Sequence, residues 1–546
     1  MQQQDRFSTR KQRLEHSCTM SDEKHPIPAV DASSSSSLHD GNVISNKAAD
    51  ETLELIEQYG SDVGELTPDG EKKLKRKLYI HVLLLVTFID FMLYVDKSTL
   101  GQATLLGLFE DTGLNNAEYN NLNSLFYTGY ILGQVPGQLL IQKLRLRTYI
   151  SGTIFCWAVV VLLHCVAKSY GALIPLRFFL GFVESSVIPA LEITMAMFFT
   201  PQELLHVQPL FYISCIGSPM FTGLVSYGLL FSKVSTSPWK FFMIITGGIS
   251  LVLSVITWFA YPNNPATAWF LSTEQKVHAI RRVHDSTRSS IEQKTFKKYQ
   301  FYEALKDPVS WLFAGSGFTL MLANNLPYQQ SLLFLDLGVS PLGSTLVWVA
   351  SGGFAILACI TASLLIRFFP NYSAWWAALW CIPCIASSIG MVTIPWHKTI
   401  ALLACLILPP NCFAQTWIIS LGWLSSSCAG HTKRLTRNAM FMVLYGISNI
   451  ISPQLWKTGG YRYYGAWATQ IVASFTLTPI LLLAIRYILV KRNKERRQWI
   501  AEQAALGNHG EGYVEQVVGD ETVKVKVDVS MLDLTDLENK FFIYPL

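Results

Sequence analysis

Long apolar blocks dominate the chain from about residue 78 onward, and short polar stretches separate them. Leu78–Val95 and Phe475–Val490 are two such blocks with few interruptions. Each block approaches the roughly 20 residues that an α-helix needs to cross the hydrocarbon of a bilayer. The pattern therefore predicts an all-α membrane protein with about twelve transmembrane helices. We place these spans at 78–99, 119–141, 148–168, 171–194, 206–230, 239–261, 308–334, 343–366, 372–393, 399–424, 436–456 and 466–489.

One long internal connection divides the spans into two groups of six. It covers 262–307 and carries eight Lys and Arg residues. The sequence thus predicts a first six-helix half at 78–261, a cytosolic central loop at 262–307 and a second half at 308–489. The segment 1–77 is polar enough to be typical of a disordered cytosolic tail, and 490–546 is predicted to be a cytosolic C-terminal tail. No apolar signal-peptide core precedes the first span, so the spans themselves are expected to direct the chain to the membrane.

Basic residues in the connections predict the orientation of the chain. Lys and Arg gather before span 1, between spans 2 and 3, in the central loop, between spans 10 and 11, and after span 12. Connections of the other parity are poor in both, except for Lys457 and Arg462 between the last two spans. Because positive charge marks the cytosolic side, both termini are predicted to be cytosolic. The sequon at Asn371–Ser373 then lies on the cytosolic side and is expected to stay unmodified. We expect an integral protein of the plasma membrane, with the endoplasmic reticulum or another internal membrane as alternatives.

Composition and motifs exclude several classes of protein. Charged residues make up only 15% of the chain, whereas soluble proteins average about 25%. The sequence contains no Gly-rich phosphate loop, no metal-ligand spacing of His and Cys, and no nucleophile beside a base. Its basic residues follow one face of a membrane protein, so nucleic acid is not an expected partner. The sequence predicts a monomer in the lipid bilayer that is not an enzyme and holds no metal or cofactor.

Ionisable residues inside the predicted spans are concentrated in the first half. Such residues cost several kcal/mol in a bilayer, so each one implies a partner or a role. They are Asp90, Asp96 and Lys97 in span 1 and Arg177, Glu184 and Glu192 in span 4. Arg177 and Glu184 are seven residues apart, which returns to the same helical face two turns later. A structural pair between helices is the alternative for Arg177 and Glu184, and an interfacial pair is the alternative for Asp96 and Lys97.

The second half supplies neutral amides to its predicted spans instead of charges. They are Asn324, Asn325, Gln329, Gln330, Asn411, Gln415, Asn438 and Asn449. We take Asn325, Gln329, Gln415 and Asn449 as candidate substrate contacts. Hydrogen bonding between helices is an equally good interpretation of each amide.

Four stretches in the expected order resemble one known family. They are Tyr94-Val-Asp96-Lys97, then Arg177–Glu184 followed by Pro189, then Ala429–Lys433 with Gly446–Asn449 and Pro453-Gln454, and finally Asp533–Asn539. These stretches resemble the anion:cation symporter branch of the major facilitator superfamily, in particular its fungal allantoate permease-like group. The resemblance covers about residues 75–500 and the C-terminal ending. The superfamily's Gly-x-x-x-Asp-Arg between spans 2 and 3 is absent, since Gln138–Lys143 stands there; the fungal group often shows Gln at the acidic position.

The resemblance implies a major facilitator fold and proton-coupled symport of a small organic anion by alternating access. It implies that Asp96 and Glu184 carry the proton, that Lys97 and Arg177 face the substrate's carboxylate, and that Tyr94 lines the site. The branch carries allantoate and ureido acids, carboxylate vitamins and sulfur compounds such as cysteine, and the sequence does not select one of them. A nutrient-sensing membrane receptor and an uncoupled anion facilitator or exchanger are the alternative functions.

Overall fold

Helices account for almost all of the part of the chain that the structure describes. The computed structural model describes residues 66–231, 237–287, 297–457, 462–505, 511–518, 521–528 and 534–546. The predicted N-terminal tail therefore lies outside the described residues as far as position 65. Every predicted span corresponds to one helix or to an interrupted pair of helices.

The first half contains spans 1 to 6, with bounds close to the predicted ones. They cover Pro68–Leu105, Asn116–Lys143, Leu146–Val166, Tyr170–Phe198, Pro201–Phe231 and Pro238–Ala260. The second half contains spans 7 to 12. They cover Pro308–Met321 with Leu326–Asp336, Pro341–Phe368, Ser373–Thr393, Thr399–Ser426, His431–Ile451 with the 3-10 turn Ser452–Trp456, and Tyr464–Ala505.

Short elements lie between and after the spans. Helices at Leu108–Thr112, Thr273–Thr287 and Lys298–Lys306 belong to the first connection and to the central loop. Beyond span 12, strand β1 (Glu511–Val518) pairs antiparallel with strand β2 (Glu521–Asp528).

Nine helices in the described residues are long and apolar enough to cross a membrane. The other three predicted spans, which are spans 2, 7 and 11, are either too short or too polar at one end to meet this length and hydropathy requirement. Span 7 is interrupted between Met321 and Leu326, so neither piece is long enough. Spans 2 and 11 begin with polar turns, at Asn116 and His431. The prediction of an all-α membrane fold is confirmed.

Span 1 begins at Pro68, earlier than the predicted boundary near residue 78. The Thr67 hydroxyl accepts a hydrogen bond from the Gly70 amide and caps the helix, at 3.2 Å. A proline in the first turn also suits a helix start. Leu74 is fully buried, so the end of the predicted tail forms a packed helical extension of span 1.

Spans 2 and 4 pack with their backbones in close contact through small residues. A Cβ atom on Gly129 would lie 2.1 Å from the carbonyl oxygen of Phe178, and one on Gly181 would lie 1.9 Å from that of Phe126. Gly133 continues the row one turn further along span 2. Small residues at such spacing let membrane helices approach closely. This contact fixes the position of the span 4 side chains relative to span 2.

The two ends of the helix bundle differ in how the halves are joined. We call the end that carries the central loop the linker end and the opposite end the far end. At the far end, the Tyr119 hydroxyl donates to the backbone oxygen of Tyr328 at 2.8 Å. The Asn325 amide donates to Asn120 at 2.9 Å in the same region. Together with further bonds from span 2 to span 11, these contacts form a polar seam between the halves.

At the linker end, each part of the central loop lies on its own half. Arg282 of the first loop helix forms an ion pair with Glu203 of span 5 at 2.8 Å. Glu303 of the second loop helix pairs with Lys433 of span 11 at 2.8 Å. The loop therefore follows the division into halves.

The last described segment, 534–546, is docked against the second half. Lys433 pairs with Asp536 at 2.8 Å. The Tyr544 hydroxyl donates to the same carboxylate at 2.6 Å. Arg496 of span 12 donates to the backbone oxygen of Asp536 and to the Tyr544 hydroxyl. This part of the predicted C-terminal tail is thus an integral part of the linker-end surface.

Candidate functional site

A cavity of about 250 Å³ lies between the two halves. Spans 1, 2 and 5 of the first half and spans 7, 8, 10 and 11 of the second half form its wall. Its aromatic lining residues are Tyr94, Tyr127, Tyr212, Tyr328, Trp348, Phe413, Trp417 and Tyr445. Among the lining residues in the described part of the chain, Lys97 is the one that carries a formal charge. A partly enclosed space that is rich in aromatic side chains and has one cation suits a small molecule that bears a negative group.

Tyr94 and Lys97 lie in the cavity wall, and both are predicted site residues. The Lys97 ammonium is 4.7 Å from the centre of the Tyr94 ring and 5.6 Å from that of Tyr130. Aromatic faces attract a cation at these distances. The two rings hold the ammonium group beside the cavity without neutralising its charge.

Asp96, the neighbour of Lys97, is fully buried and does not line the cavity. Its Oδ2 accepts hydrogen bonds from the Trp157 indole and, at 3.1 Å, from the Ser250 hydroxyl. The other oxygen, Oδ1, has no hydrogen-bond partner in the structure. Asp96 is therefore held on one side by spans 3 and 6 and is free on the other.

Arg177 and Glu184 are buried inside the first half, and neither lines the cavity. Both carboxylate oxygens of Glu184 lack a hydrogen-bond partner, as do Nε and Nη2 of Arg177. The charges of Lys97, Asp96 and Arg177 all act on Glu184. We call Asp96, Lys97, Arg177 and Glu184 the charge cluster; only Lys97 reaches the cavity wall.

The local fold explains the position of Glu184. The first helix of span 4 ends at Glu184, and the chain turns through Ser185 and Ser186 before it continues. The Ser185 hydroxyl donates to the Phe182 backbone oxygen at 2.9 Å and so satisfies one of the open carbonyls. This interruption places the carboxylate at a helix end in the middle of the bundle.

The four predicted amides of the second half do not line the cavity. Asn325 and Gln329 both donate to span 2 in the seam, to Asn120 at 2.9 Å and to Asn116 at 3.4 Å. Asn449 accepts from Asn324 at 2.5 Å, and Gln415 donates to the backbone of its own helix. Their direct contact with substrate stays a prediction. Neighbouring amides occupy the wall instead, namely Asn324, Gln330 and Asn411.

Several wall residues escaped the sequence analysis. An aromatic residue in a membrane span is as typical of a lipid interface as of a binding site, so Tyr127, Tyr445 and Trp417 carried no distinguishing signal. Asp90 was noted only as an intramembrane acid. In the structure it is buried, and its carboxylate accepts a hydrogen bond from Cys215, which lines the cavity.

Among the described residues, no group of three His, Cys, Asp or Glu side chains is placed to hold a metal ion.

A two-half helical bundle with a charged internal cluster beside a central cavity defines a membrane transporter. Residues 86–501 match the family model of the Major Facilitator Superfamily. The chain belongs to the major facilitator superfamily; it is a secondary transporter and not an enzyme.

Curated relatives place the chain among fungal transporters. It is 49% identical to an uncharacterized transporter of Schizosaccharomyces pombe, over 93% of this chain and 89% of that one. It is 43% identical to the high affinity cysteine transporter of Saccharomyces cerevisiae, over 93% of this chain and 98% of that one. The allantoate permease of the same yeast is 27% identical, over 92% of this chain and 91% of that one. The sequence therefore has higher identity to the cysteine transporter than to the allantoate permease.

Solved structures support the fold. An inward-facing bacterial homolog of the human lysosomal transporter Spinster matches with a TM-score of 0.55 and 15% identity, over 74% of this chain and 94% of that one. A D-xylose-proton symporter matches with a TM-score of 0.56 and 13% identity, over 72% of this chain and 96% of that one. At these identities the likeness concerns the fold alone.

Proposed function

We propose that the protein imports a small carboxylate-bearing solute together with protons across the plasma membrane, with cysteine as the first substrate to test. The observation that carries the proposal is the state of Glu184, which is fully buried among charged groups and has no hydrogen-bond partner on either oxygen. Such a carboxyl can take up and release a proton without breaking a built ion pair. Buried ionisable groups of this kind mark proton relays in membrane transporters.

Substrate recognition is proposed to begin at Lys97. It is the charged residue of the described cavity wall, and a carboxylate in this partly enclosed space would be attracted to it more strongly than in bulk water. The cavity of about 250 Å³ accommodates a solute of amino-acid size and is below the usual range for drug-sized ligands. The named cysteine transporter among the relatives makes a sulfur amino acid the leading candidate. Allantoate, ureido acids and carboxylate vitamins are further candidates.

Coupling follows from the formal charges of the charge cluster. Its two carboxylates and two cations cancel, so the four residues of the cluster by themselves are balanced. A carboxylate arriving beside Lys97 adds one negative charge, and one proton on Glu184 restores the balance. Because an unbalanced charge inside a membrane protein is costly, the loaded and protonated site is the form best able to move between its two orientations. Asp96 is proposed as the second proton carrier, and Arg177 as the fixed counter-charge of both acids.

The structure corresponds, in this proposal, to the inward-facing form. If the linker end lies in the cytosol, the polar seam closes the outer side of the cavity. Alternating access then requires the seam between spans 2, 7 and 11 to open. Asn325 and Gln329 would act in this seam as gate residues, besides or instead of touching the substrate.

Labelled cysteine uptake into cells that lack their own cysteine uptake tests the proposal. We expect accumulation above the external concentration, an increase as external pH falls, and collapse with a protonophore. Equilibration without accumulation would indicate a facilitator or exchanger. Binding without movement, in a protein shown to be at the cell surface, would indicate a receptor. Allantoate, nicotinate, pantothenate, biotin and a sulfonate complete the substrate panel.

Tags at each end of the chain, with and without membrane permeabilisation, test the orientation. Both tags should be accessible only after permeabilisation. Glycosylation at Asn371 would contradict the cytosolic assignment of the connection between spans 8 and 9.

A further inference from the structure

Asp90 is an acid of span 1 that has no role in the mechanism above. It precedes Tyr94 by four residues and Lys97 by seven, so all three side chains share one face of the helix. Tyr94 and Lys97 line the cavity, and Asp90 is fully buried. Asp90 therefore lies on the cavity-facing side of span 1, two turns from the cation.

Span 5 connects Asp90 to the cavity wall through Cys215. The Cys215 thiol donates to Oδ2 of Asp90 at 2.5 Å, and the Ser214 hydroxyl donates to the same oxygen at 3.3 Å. Cys215 itself lines the cavity. The second oxygen, Oδ1, is buried without a hydrogen-bond partner. A buried carboxylate oxygen without a donor is costly, and a donor from a ligand would satisfy it.

The other acids near the cavity have contacts or proposed roles of their own, and Glu184, which has no hydrogen-bond partner, is the proposed proton carrier. Asp96 accepts from Trp157 and Ser250, which belong to spans 3 and 6. Glu192 accepts both protons of the Gln208 amide, at 3.0 and 3.1 Å. The charge of Lys97 acts on Asp90. The two residues thus place a negative and a positive charge two turns apart on one face of span 1, with Lys97 in the cavity wall and Asp90 in contact with the wall residue Cys215.

We propose that Asp90 receives the ammonium group of a zwitterionic α-amino acid whose carboxylate is held by Lys97. The assignment rests on the proposed function, and it narrows the substrate class from carboxylates in general to α-amino acids. Formal charge supports it. When Asp90 is counted with the charge cluster, the empty site carries one net negative charge, and the substrate's ammonium group cancels the charge of Asp90. The proton on Glu184 then matches the substrate's carboxylate, so the loaded and protonated site is neutral.

Ligand-dependent thermal stabilisation of the purified full-length protein tests the role of Asp90 in binding, and it does not require transport. The probes are L-cysteine, 3-mercaptopropionate, which lacks the amino group, and cysteamine, which lacks the carboxylate. For the unmodified protein we expect L-cysteine to bind about tenfold or more tightly than either analogue. Asp90→Asn should lose that preference, with 3-mercaptopropionate binding at least as well as L-cysteine. Asp90→Glu keeps the charge and should retain part of the preference.

Glu192→Gln is the matched control, because it neutralises another intramembrane acid, one that pairs with Gln208 and does not line the cavity. It should keep the preference for L-cysteine. The inference is overturned if the unmodified protein binds L-cysteine and 3-mercaptopropionate equally, if neither is bound, or if Asp90→Asn keeps the wild-type preference.

Uptake separates this inference from the proposed function. Equal proton-driven accumulation of L-cysteine and 3-mercaptopropionate would uphold the proposed coupling and refute the role of Asp90. Preferential binding of L-cysteine that depends on Asp90, without uphill uptake, would uphold the role of Asp90 and refute the coupling.

Discussion

Arg177 and Glu184 lie two turns apart on span 4, and neither carboxylate oxygen of Glu184 accepts a hydrogen bond from the arginine. A pair that served only to tie helices together would be expected to form a direct bond, since open buried charges cost several kcal/mol. The separation leaves both groups available to a proton and to a changing charge at Lys97, which acts on Glu184 from span 1.

Replacing Glu184 with Gln should uncouple transport from protons. The glutamine has nearly the shape of a protonated glutamate but carries no exchangeable proton. Glu184→Gln should lose uphill, acid-driven accumulation by about tenfold or more, yet still exchange labelled for unlabelled substrate. Reconstituted vesicles, assayed in both modes, measure this. If accumulation and exchange fall together with surface expression, Glu184 is a structural group; if accumulation persists, Asp96 or Asp90 must carry the proton.

Substitutions of the two cations in the charge cluster should impair transport in different ways. Lys97 is in the cavity wall and Arg177 is not. Lys97→Gln should therefore weaken substrate binding by about tenfold or more. Arg177→Ala should abolish transport at every pH while binding changes less, and Arg177→Lys should also transport poorly. Thermal stabilisation by substrate and initial uptake rates separate the two effects. Near-normal uptake by a well-expressed Arg177→Ala protein would show that the arginine is not part of the mechanism.

Gly181 should not tolerate even a methyl group. A Cβ there would lie 1.9 Å from the Phe126 carbonyl oxygen, so spans 2 and 4 would have to separate. Gly181→Ala should lower the midpoint of thermal unfolding by several degrees and reduce uptake. Gly152→Ala is the control, because its Cβ would meet nothing within 4 Å. Equal stability of the two variants would show that the close contact of spans 2 and 4 is not required.

Locking the far end should stop transport. A Cβ on Gly101 of span 1 would lie 3.9 Å from the Ser331 hydroxyl oxygen of span 7, so cysteines at the two positions are neighbours that we expect to form a disulfide on oxidation. Oxidation of the Gly101→Cys, Ser331→Cys double variant should block uptake, and a reductant should restore it. Each single variant is the control for oxidation alone. After cleavage at a protease site inserted in the central loop, the two halves stay together on a non-reducing gel only if the disulfide has formed. Full uptake by the disulfide-joined protein would refute an opening between spans 1 and 7 at the far end.

Asp307 should stabilise the linker end in a pH-dependent manner. It pairs with Arg437 and with Arg492, each at 2.9 Å. Burial would raise the pKa of the Asp307 carboxyl, but the charges and hydrogen bonds of Lys433 and Arg492 outweigh burial and hold that pKa below its usual value. A lowered pKa means that the stabilisation is present above the unfolded-state pKa of about 3.9 and is lost as pH falls through the folded-state pKa.

Asp307→Asn should accordingly cost about 3–5 kcal/mol of unfolding free energy at neutral pH. The difference from wild type should be the same at pH 7 and at about pH 5.5, and it should shrink below about pH 4. Thermal unfolding in detergent across this range measures it. Asp69→Asn is the control, since that side chain is 88% exposed and its ion pair with Lys72 should contribute nothing measurable. A constant difference down to pH 3 would contradict the assignment.

The sequence was sufficient to predict the helical bundle and to identify most of the charged residues buried inside it. Apolar length predicted every span. The cost of a charge in lipid singled out six residues of the first half, Asp90, Asp96, Lys97, Arg177, Glu184 and Glu192, and the family resemblance gave roles to Asp96, Lys97, Arg177 and Glu184. Which of these side chains reaches the cavity could not be predicted. Neighbours such as Asp96 and Lys97 point in different directions, and only the packing of the whole half decides which direction leads to the cavity.

The side-chain amides of span 7 show even more clearly that the sequence alone does not reveal which residues face the cavity. Asn324 lines the cavity, whereas Asn325 lies in the seam. They fall where span 7 is interrupted, between Met321 and Leu326, so the regular helical period does not assign their faces. The sequence pattern predicted one continuous span there, because a break of four residues barely changes the apolar average.

The charge cluster belongs to the first half alone, and the cavity wall contributed by the second half is neutral in the described residues. In the proposed mechanism, the groups that bind protons and the charged ends of the substrate all lie in the first half, so the neutral wall of the second half is left to select among substrate side chains. Substitutions in spans 7, 8, 10 and 11 can then change which nutrient is carried while the charged residues of spans 1 and 4 stay the same.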